Sequence, residues 1–111
     1  MNIFENYLSQ INKIILDNKN ILKLNSLKNL DLINLEVPPD HFDFDLSTNI
    51  SLILSKENKT NPKNLSNEIK NLLLKHIKDF EKIEIAGPGF LNIKLTNQGI
   101  LSSIKAIFDS N

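Results

Sequence analysis

Phe90, Asn92 and Lys94 stand at alternate positions in the segment Phe90-Leu91-Asn92-Ile93-Lys94-Leu95. Side chains alternate faces along a strand, so these three share one face while Leu91, Ile93 and Leu95 share the other. A ring, an amide and an ammonium in a row can together hold an unpaired nucleotide. The ring is a stacking surface, the amide both donates to and accepts from a base edge, and the ammonium meets a phosphate. The same pattern also fits an aromatic that covers the rim of a core beside two solvent-facing polar residues.

Other groupings promise less chemistry. Asp40, His41, Asp43 and Asp45 form a run of potential metal ligands, but a solvated acidic loop ending in a helix cap explains them as well. His41 and His76 fall on different elements, and neither has a second histidine four residues on. His76 lies at the margin of an apolar stripe, where a half-buried packing role is expected. Gly87-Pro88-Gly89 lacks the length and the Lys-Ser/Thr ending of a phosphate loop, and its proline has no amide to offer. It suits a type II turn, with proline fixing one backbone angle and glycine accepting the positive one. Ser47, Ser51, Ser55 and Ser66 have no base paired with them in a recognisable pattern. There is no cysteine, which removes disulfides, thiolate metal sites and thiol nucleophiles together.

The elements that must position the Phe90 row can be read from periodicity. Ile3, Phe4, Tyr7, Leu8, Ile11, Ile14 and Ile15 predict an amphipathic helix over Met1 to about Asn18. Residues 19–29 are polar and irregular. Leu30 to Val37 alternates, with one slip at Ile33, and reads as a strand ended by Pro38-Pro39. Leu46, Ile50, Ile53 and Leu54 predict a helix from Leu46 to about Asn58 with Asp45 as its N-cap. Asn49 would lie beside that stripe and hold the loop 40–45 by hydrogen bonds. Asn61-Pro62 marks a further helix start, which Leu65, Ile69, Leu72, Leu73 and Ile77 continue. Strands Lys82–Ala86 and Phe90–Leu95 flank the Gly-Pro-Gly turn. A last helix from Asn97 to Phe108 should bury Ile100, Leu101, Ile104, Ile107 and Phe108. The order helix, strand, two helices, hairpin, helix predicts an α+β fold. Its architecture would be a two-layer sandwich of a small, mainly antiparallel sheet packed with about four helices.

With 111 residues, 41% apolar and 23% charged, the chain has the make-up of one soluble domain with a single core. No apolar run approaches the ~20 residues that cross a bilayer, and no basic-then-apolar leader opens the chain. A cytoplasmic setting follows. Net charge is zero, and all thirteen basic residues are lysine. That balance argues against strong sequence-independent nucleic-acid binding, which needs dense cationic contacts. The cations are nevertheless uneven: residues 1–55 carry four lysines against seven acids, and residues 56–94 carry eight against five.

Ile83-Glu84-Ile85-Ala86-Gly87-Pro88-Gly89-Phe90-Leu91-Asn92-Ile93 resembles the segment that precedes the catalytic domain in bacterial-type arginyl-tRNA synthetases. Asp45-Leu46-Ser47-Thr48-Asn49-Ile50-Ser51-Leu52 and the helix start at Asn61-Pro62 are similar to two upstream segments of that family, in the same order. Where the family commonly has His-Gly before the aspartate, this chain has Asp43-Phe44. The resemblance implies one N-terminal tRNA-recognition domain over residues 1–111, with the Rossmann-type catalytic domain outside it. Neither a His-Ile-Gly-His-like nor a Lys-Met-Ser-Lys-like motif occurs here, so no catalytic residue, metal or cofactor is expected in this chain. ATP with Mg would serve the full-length ligase. The implied partners are the D-loop at the outer corner of arginine tRNA and the catalytic domain of the same polypeptide, with no membrane and no DNA. By position, Phe90 would stack on a D-loop nucleotide and Asn92 would read its edge. Lys94 joins them through strand alternation. Two other roles fit the same residues: a stand-alone RNA-binding protein of this fold, and a domain that packs on a catalytic body without touching RNA.

Overall fold

Tyr7, Ile11 and Ile15 recur every fourth residue, and their side chains are 1%, 0% and 0% exposed. That stripe commits the first segment to helix α1, Ile3–Asp17. The computed structural model describes residues 3–38 and 43–109, apart from the Asp109 side chain. After α1 come a short 3-10 turn at Leu30–Leu32, strand β1 at Leu35–Glu36 and strand β2 at Leu46–Thr48. Helices α2 (Ile50–Asn58) and α3 (Pro62–His76) follow, then the hairpin β3 (Phe80–Ala86) and β4 (Phe90–Leu95), then α4 (Asn97–Asp109). The four strands form one antiparallel sheet in the order β1-β2-β4-β3. Helices on one side of that sheet make the expected two-layer α+β sandwich. The core joins Ile50 and Leu54 of α2, Leu65, Ile69 and Leu73 of α3, Ile83 of β3, and Leu91, Ile93 and Leu95 of β4.

The start of α3 follows its sequence signal closely. The Asn61 side chain accepts from the amides of Lys63 and Asn64 at 2.9 and 3.1 Å, and Pro62 fills the first helical position. Elsewhere the segment boundaries depart from the pattern. Leu46–Thr48 is a strand, not the first turn of α2. It pairs with β4 as Leu46↔Ile93, Ser47↔Asn92 and Thr48↔Leu91, so it is an inner strand of the sheet. Three residues are too few for an alternating pattern to show against the helical spacing of Leu46, Ile50, Ile53 and Leu54.

The expected strand Leu30–Val37 opens as a three-residue 3-10 turn and holds only a two-residue strand. The turn resets the phase, so Ile33 is buried while Leu32 and Val37 are exposed. Helix α2 holds this whole stretch in place. Asn58 accepts from the amides of Asn25 and Ser26 and donates to Ser26 O, and Glu57 accepts from the Asn29 amide. At the other end of α2, Asn49 Oδ1 accepts from the Asn34 amide at 2.9 Å and its Nδ2 donates to Leu32 O at 3.1 Å. Asn49 thus orders residues 32–34; the loop expected for it is 40–45. Residues 40–42 of that loop lie outside the described residues.

Helix α4 departs most. Ile100, Leu101, Ile104, Ile107 and Phe108, expected in the core, are all exposed. The helix turns its small residues inward instead, with Gly99 buried and Ser103 and Ala106 partly buried. Among the described residues no helix is long and apolar enough to cross a membrane.

Candidate nucleic-acid interface

Between β3 and β4 the chain must reverse within three residues, because Ala86 pairs directly with Phe90. Gly87 and Gly89 both adopt positive φ, +56° and +139°. Two such angles, not the single one of a type II turn, make this reversal, and glycine accepts both without a clash at Cβ. Gly89 has a second reason to be glycine. A Cβ there would lie 2.6 Å from Leu52 N and 2.8 Å from Leu52 Cα. That close approach lets Gly89 O accept from the Leu52 amide at 3.0 Å. An amide of the first turn of α2, which has no partner inside the helix, is satisfied by the hairpin turn. The fully buried Ser51 beside it keeps the approach short. The turn is therefore seated on α2.

That seating fixes where β4 begins. Leu91, Ile93 and Leu95 are buried in the core, and Phe90, Asn92 and Lys94 are partly buried on the opposite face. Phe90 does not tuck beneath a helix; its Cδ2 lies beside the turn, 4.0 Å from where a Cβ of residue 87 would be.

The register adds neighbours that the sequence pattern did not single out. Asn92 is flanked by Ser47 on β2 and Glu84 on β3, and Ser47 is flanked in turn by Glu36 on β1. Glu36, Pro38, Ser47, Phe90 and Asn92 line one concavity of about 480 Å³, with Gly87 at its edge. Ser47, in sequence a serine without a paired base, could not be placed on this face because β2 is not legible as a strand. Glu36 escaped because β1 has only two residues.

One row along, Lys94 lies directly opposite Lys82. Like charges across a ladder repel. Among the described residues neither ammonium has a carboxylate within 4.0 Å. Lys82 instead sits over the Phe44 ring, 5.7 Å from its centroid. The two cations share the face with two carboxylates, Glu36 and Glu84, so its charges are balanced in number.

The remaining candidates go elsewhere. Asp45 does not cap a helix. Its backbone amide donates to Ile93 O at 2.9 Å and its Oδ2 accepts from the Leu95 amide at 2.8 Å. It clamps the start of β2 to the end of β4, and its carboxylate is spent on that backbone. Asp40 and His41 lie outside the described residues. His76 is exposed at the C-terminal end of α3, not half-buried. A shallow groove along α1, near Leu8, Asn12 and Leu16, is larger at about 650 Å³ but presents no aromatic ring.

The family model described as "Arginyl tRNA synthetase N terminal domain" matches residues 5–95, from the first turn of α1 to the last residue of β4. The chain belongs to that family. The arginine–tRNA ligase of Pelagibacter ubique is 42% identical over 100 residues, covering 85% of this chain and 16% of the ligase. That of Bartonella henselae is 38% identical over 111 residues, covering 98% and 18%. That of Mesoplasma florum is 45% identical over 73 residues, covering 65% and 13%. The chain therefore spans less than a fifth of the length of the curated relatives it matches.

Proposed function

We propose that this chain is the accessory tRNA-binding domain of an arginine–tRNA ligase, touching the D-loop at the outer corner of the tRNA. The observation that carries the reading is the outer row of β4. Phe90 supplies the stacking ring, Asn92 the base-edge amide, and Lys94 with Lys82 the charge for a neighbouring phosphate. Ser47 and Glu36, which line the same concavity, present a hydroxyl and a carboxylate to whatever occupies it.

In this reading the domain contributes binding and positioning, and the chemistry belongs to the catalytic domain of the ligase. ATP with Mg would be held there. Among the described residues, backbone donors at the starts of α2 and α3 are already engaged. The first free amides of α3 are taken by Asn61, and that of Leu52 by Gly89 O. No step of arginine activation is assigned to these residues. The near-balanced charge suits a clamp whose affinity adds to that of a larger body.

The test is the double variant Phe90→Ala, Asn92→Ala in a ligase carrying this domain. Loss of a base stack and its edge contact should raise KM for tRNA by roughly 10-fold or more, or lower kcat/KM by as much. ATP and arginine kinetics should stay nearly unchanged. Unaltered tRNA kinetics in that variant would sink the reading.

A further inference from the structure

Strand β3 is the long open edge of the sheet. In the order β1-β2-β4-β3 it has a neighbour on one side, and among the described residues no strand lies beyond it. The opposite edge, β1, is two residues long, whereas β3 has seven. Which backbone groups of β3 are free follows from the strand beside it. Ile93 O accepts from the Asp45 amide and the Leu95 amide donates to the Asp45 carboxylate, so Ile93 and Leu95 direct their peptide groups toward β2. Successive residues of an antiparallel strand point these groups to opposite sides, so Asn92 and Lys94 direct theirs toward β3. There they meet Glu84 and Lys82, which leaves Ile83 and Ile85 with N–H and C=O groups aimed outward from the sheet. Such an edge is a template for another strand.

We propose that two copies of this chain associate through their β3 edges, joining two four-stranded sheets into one of eight strands about a two-fold axis at Ile83. The side chains select this occupant. Lys82 and Glu84, both exposed, stand on the outer face on either side of Ile83. A second β3 laid antiparallel, with Ile83 opposite Ile83, lets these two residues exchange both backbone bonds. It also sets each Lys82 against Glu84 of the second copy. Moving the centre one residue either way would oppose two lysines or two glutamates instead, so the charges pick one register. The pairing also answers an imbalance inside each copy. Lys82 faces Lys94 across the ladder, and among the described residues neither has a carboxylate within 4.0 Å. Glu84 of the second copy supplies that carboxylate to Lys82, while Lys94, one strand in from the edge, stays outside the pairing. A polyanion laid along the same edge would meet Glu81 and Glu84 beside the single Lys82. The bulge between Phe80 and Lys82 keeps the regular stretch short. The contact therefore falls below the ~800 Å² per partner of a standard stable complex, and the dimer exchanges with the monomer.

The experiment is a charge swap in the 111-residue chain. Sedimentation equilibrium at low salt should show monomer and dimer in exchange, with Kd of roughly 10–500 μM. Over the same range the Ile83 and Ile85 amides should exchange with solvent more slowly as concentration rises. Lys82→Glu sets glutamates against each other at both crossings, and Glu84→Lys does the same with lysines. Each alone should weaken self-association at least ~10-fold. An equimolar mixture of the two variants should pair again, now as a heterodimer, because every crossing is once more of opposite sign. Both positions are exposed, so the melting temperature of each variant should stay close to the parent's, which confirms that it folds. A chain that stays monomeric to about 1 mM overturns the proposal. So does a mixture that fails to pair. A dimer indifferent to either substitution overturns it as well, since another surface, such as the apolar face of α4, would then hold the copies together.

Discussion

Asp45 and Asn49 are four residues apart, and each was expected to organise the chain near it. Both do so through backbone groups distant in sequence: Asp45 through Leu95, Asn49 through Leu32 and Asn34. Their residue types announced side-chain to backbone bonding, because short polar side chains compete well for unpaired backbone groups. The partners were not legible, since they depend on β2 passing beside β4. Asp45→Ala should strip the Leu95 amide of its acceptor and cost about 1–3 kcal/mol in denaturant unfolding. Asp45→Asn keeps an acceptor oxygen and should cost less. Equal losses from the two variants would mean that the carboxylate does something other than accept from Leu95. The Phe90, Asn92 and Lys94 row could be read from alternation alone. Its neighbours Ser47, Glu36 and Lys82 needed the register of the sheet.

At the scale of elements, long helices with whole stripes were plain in the sequence, and short ones were not. Helix α3 shows Leu65, Ile69 and Leu73 over four turns and an Asn-Pro start, which is redundant information. Strand β2 has three residues and no redundancy. Helix α4 misled for another reason. Its stripe was correctly visible, but a stripe says only that something covers it and not that the domain's own core does. The hairpin turn carries an element-scale consequence. Gly89→Ala puts a Cβ within 2.6 Å of the Leu52 amide and at an unfavourable φ of +139°. The strain should cost about 2–4 kcal/mol in thermal or denaturant unfolding. Because the same turn sets the start of β4, the proposed function predicts that KM for tRNA rises along with it in a ligase carrying the variant. Retention of full stability would mean that the turn is not seated on α2 as described.

At the scale of the whole molecule, one tie joins parts of the chain that are 72 residues apart. The Tyr7 hydroxyl donates to Asp79 Oδ2 at 2.9 Å, the Tyr7 ring lies 5.3 Å from that of Phe80, and Asp79 also receives the Thr96 amide. Burial, reinforced by the Asp79 carboxylate, pushes the Tyr7 phenol up to about 12. A phenol that ionises at about 10 in the unfolded chain and about 12 in the folded one favours folding below pH ~10. That contribution is lost as pH rises from about 10 through about 12, because the unfolded chain deprotonates first. Tyr7→Phe should therefore flatten the alkaline part of the stability curve relative to the parent, measured by denaturant unfolding at a series of pH values. An unchanged alkaline slope would place the tyrosine outside this linkage. The order β1-β2-β4-β3 has a further meaning for the same whole. Strand β4 is bonded on both sides, so its amides exchange with solvent only when the sheet comes apart. The strand that carries the Phe90, Asn92 and Lys94 row is thus among the last to open, and a ligand laid against it would find a surface already ordered.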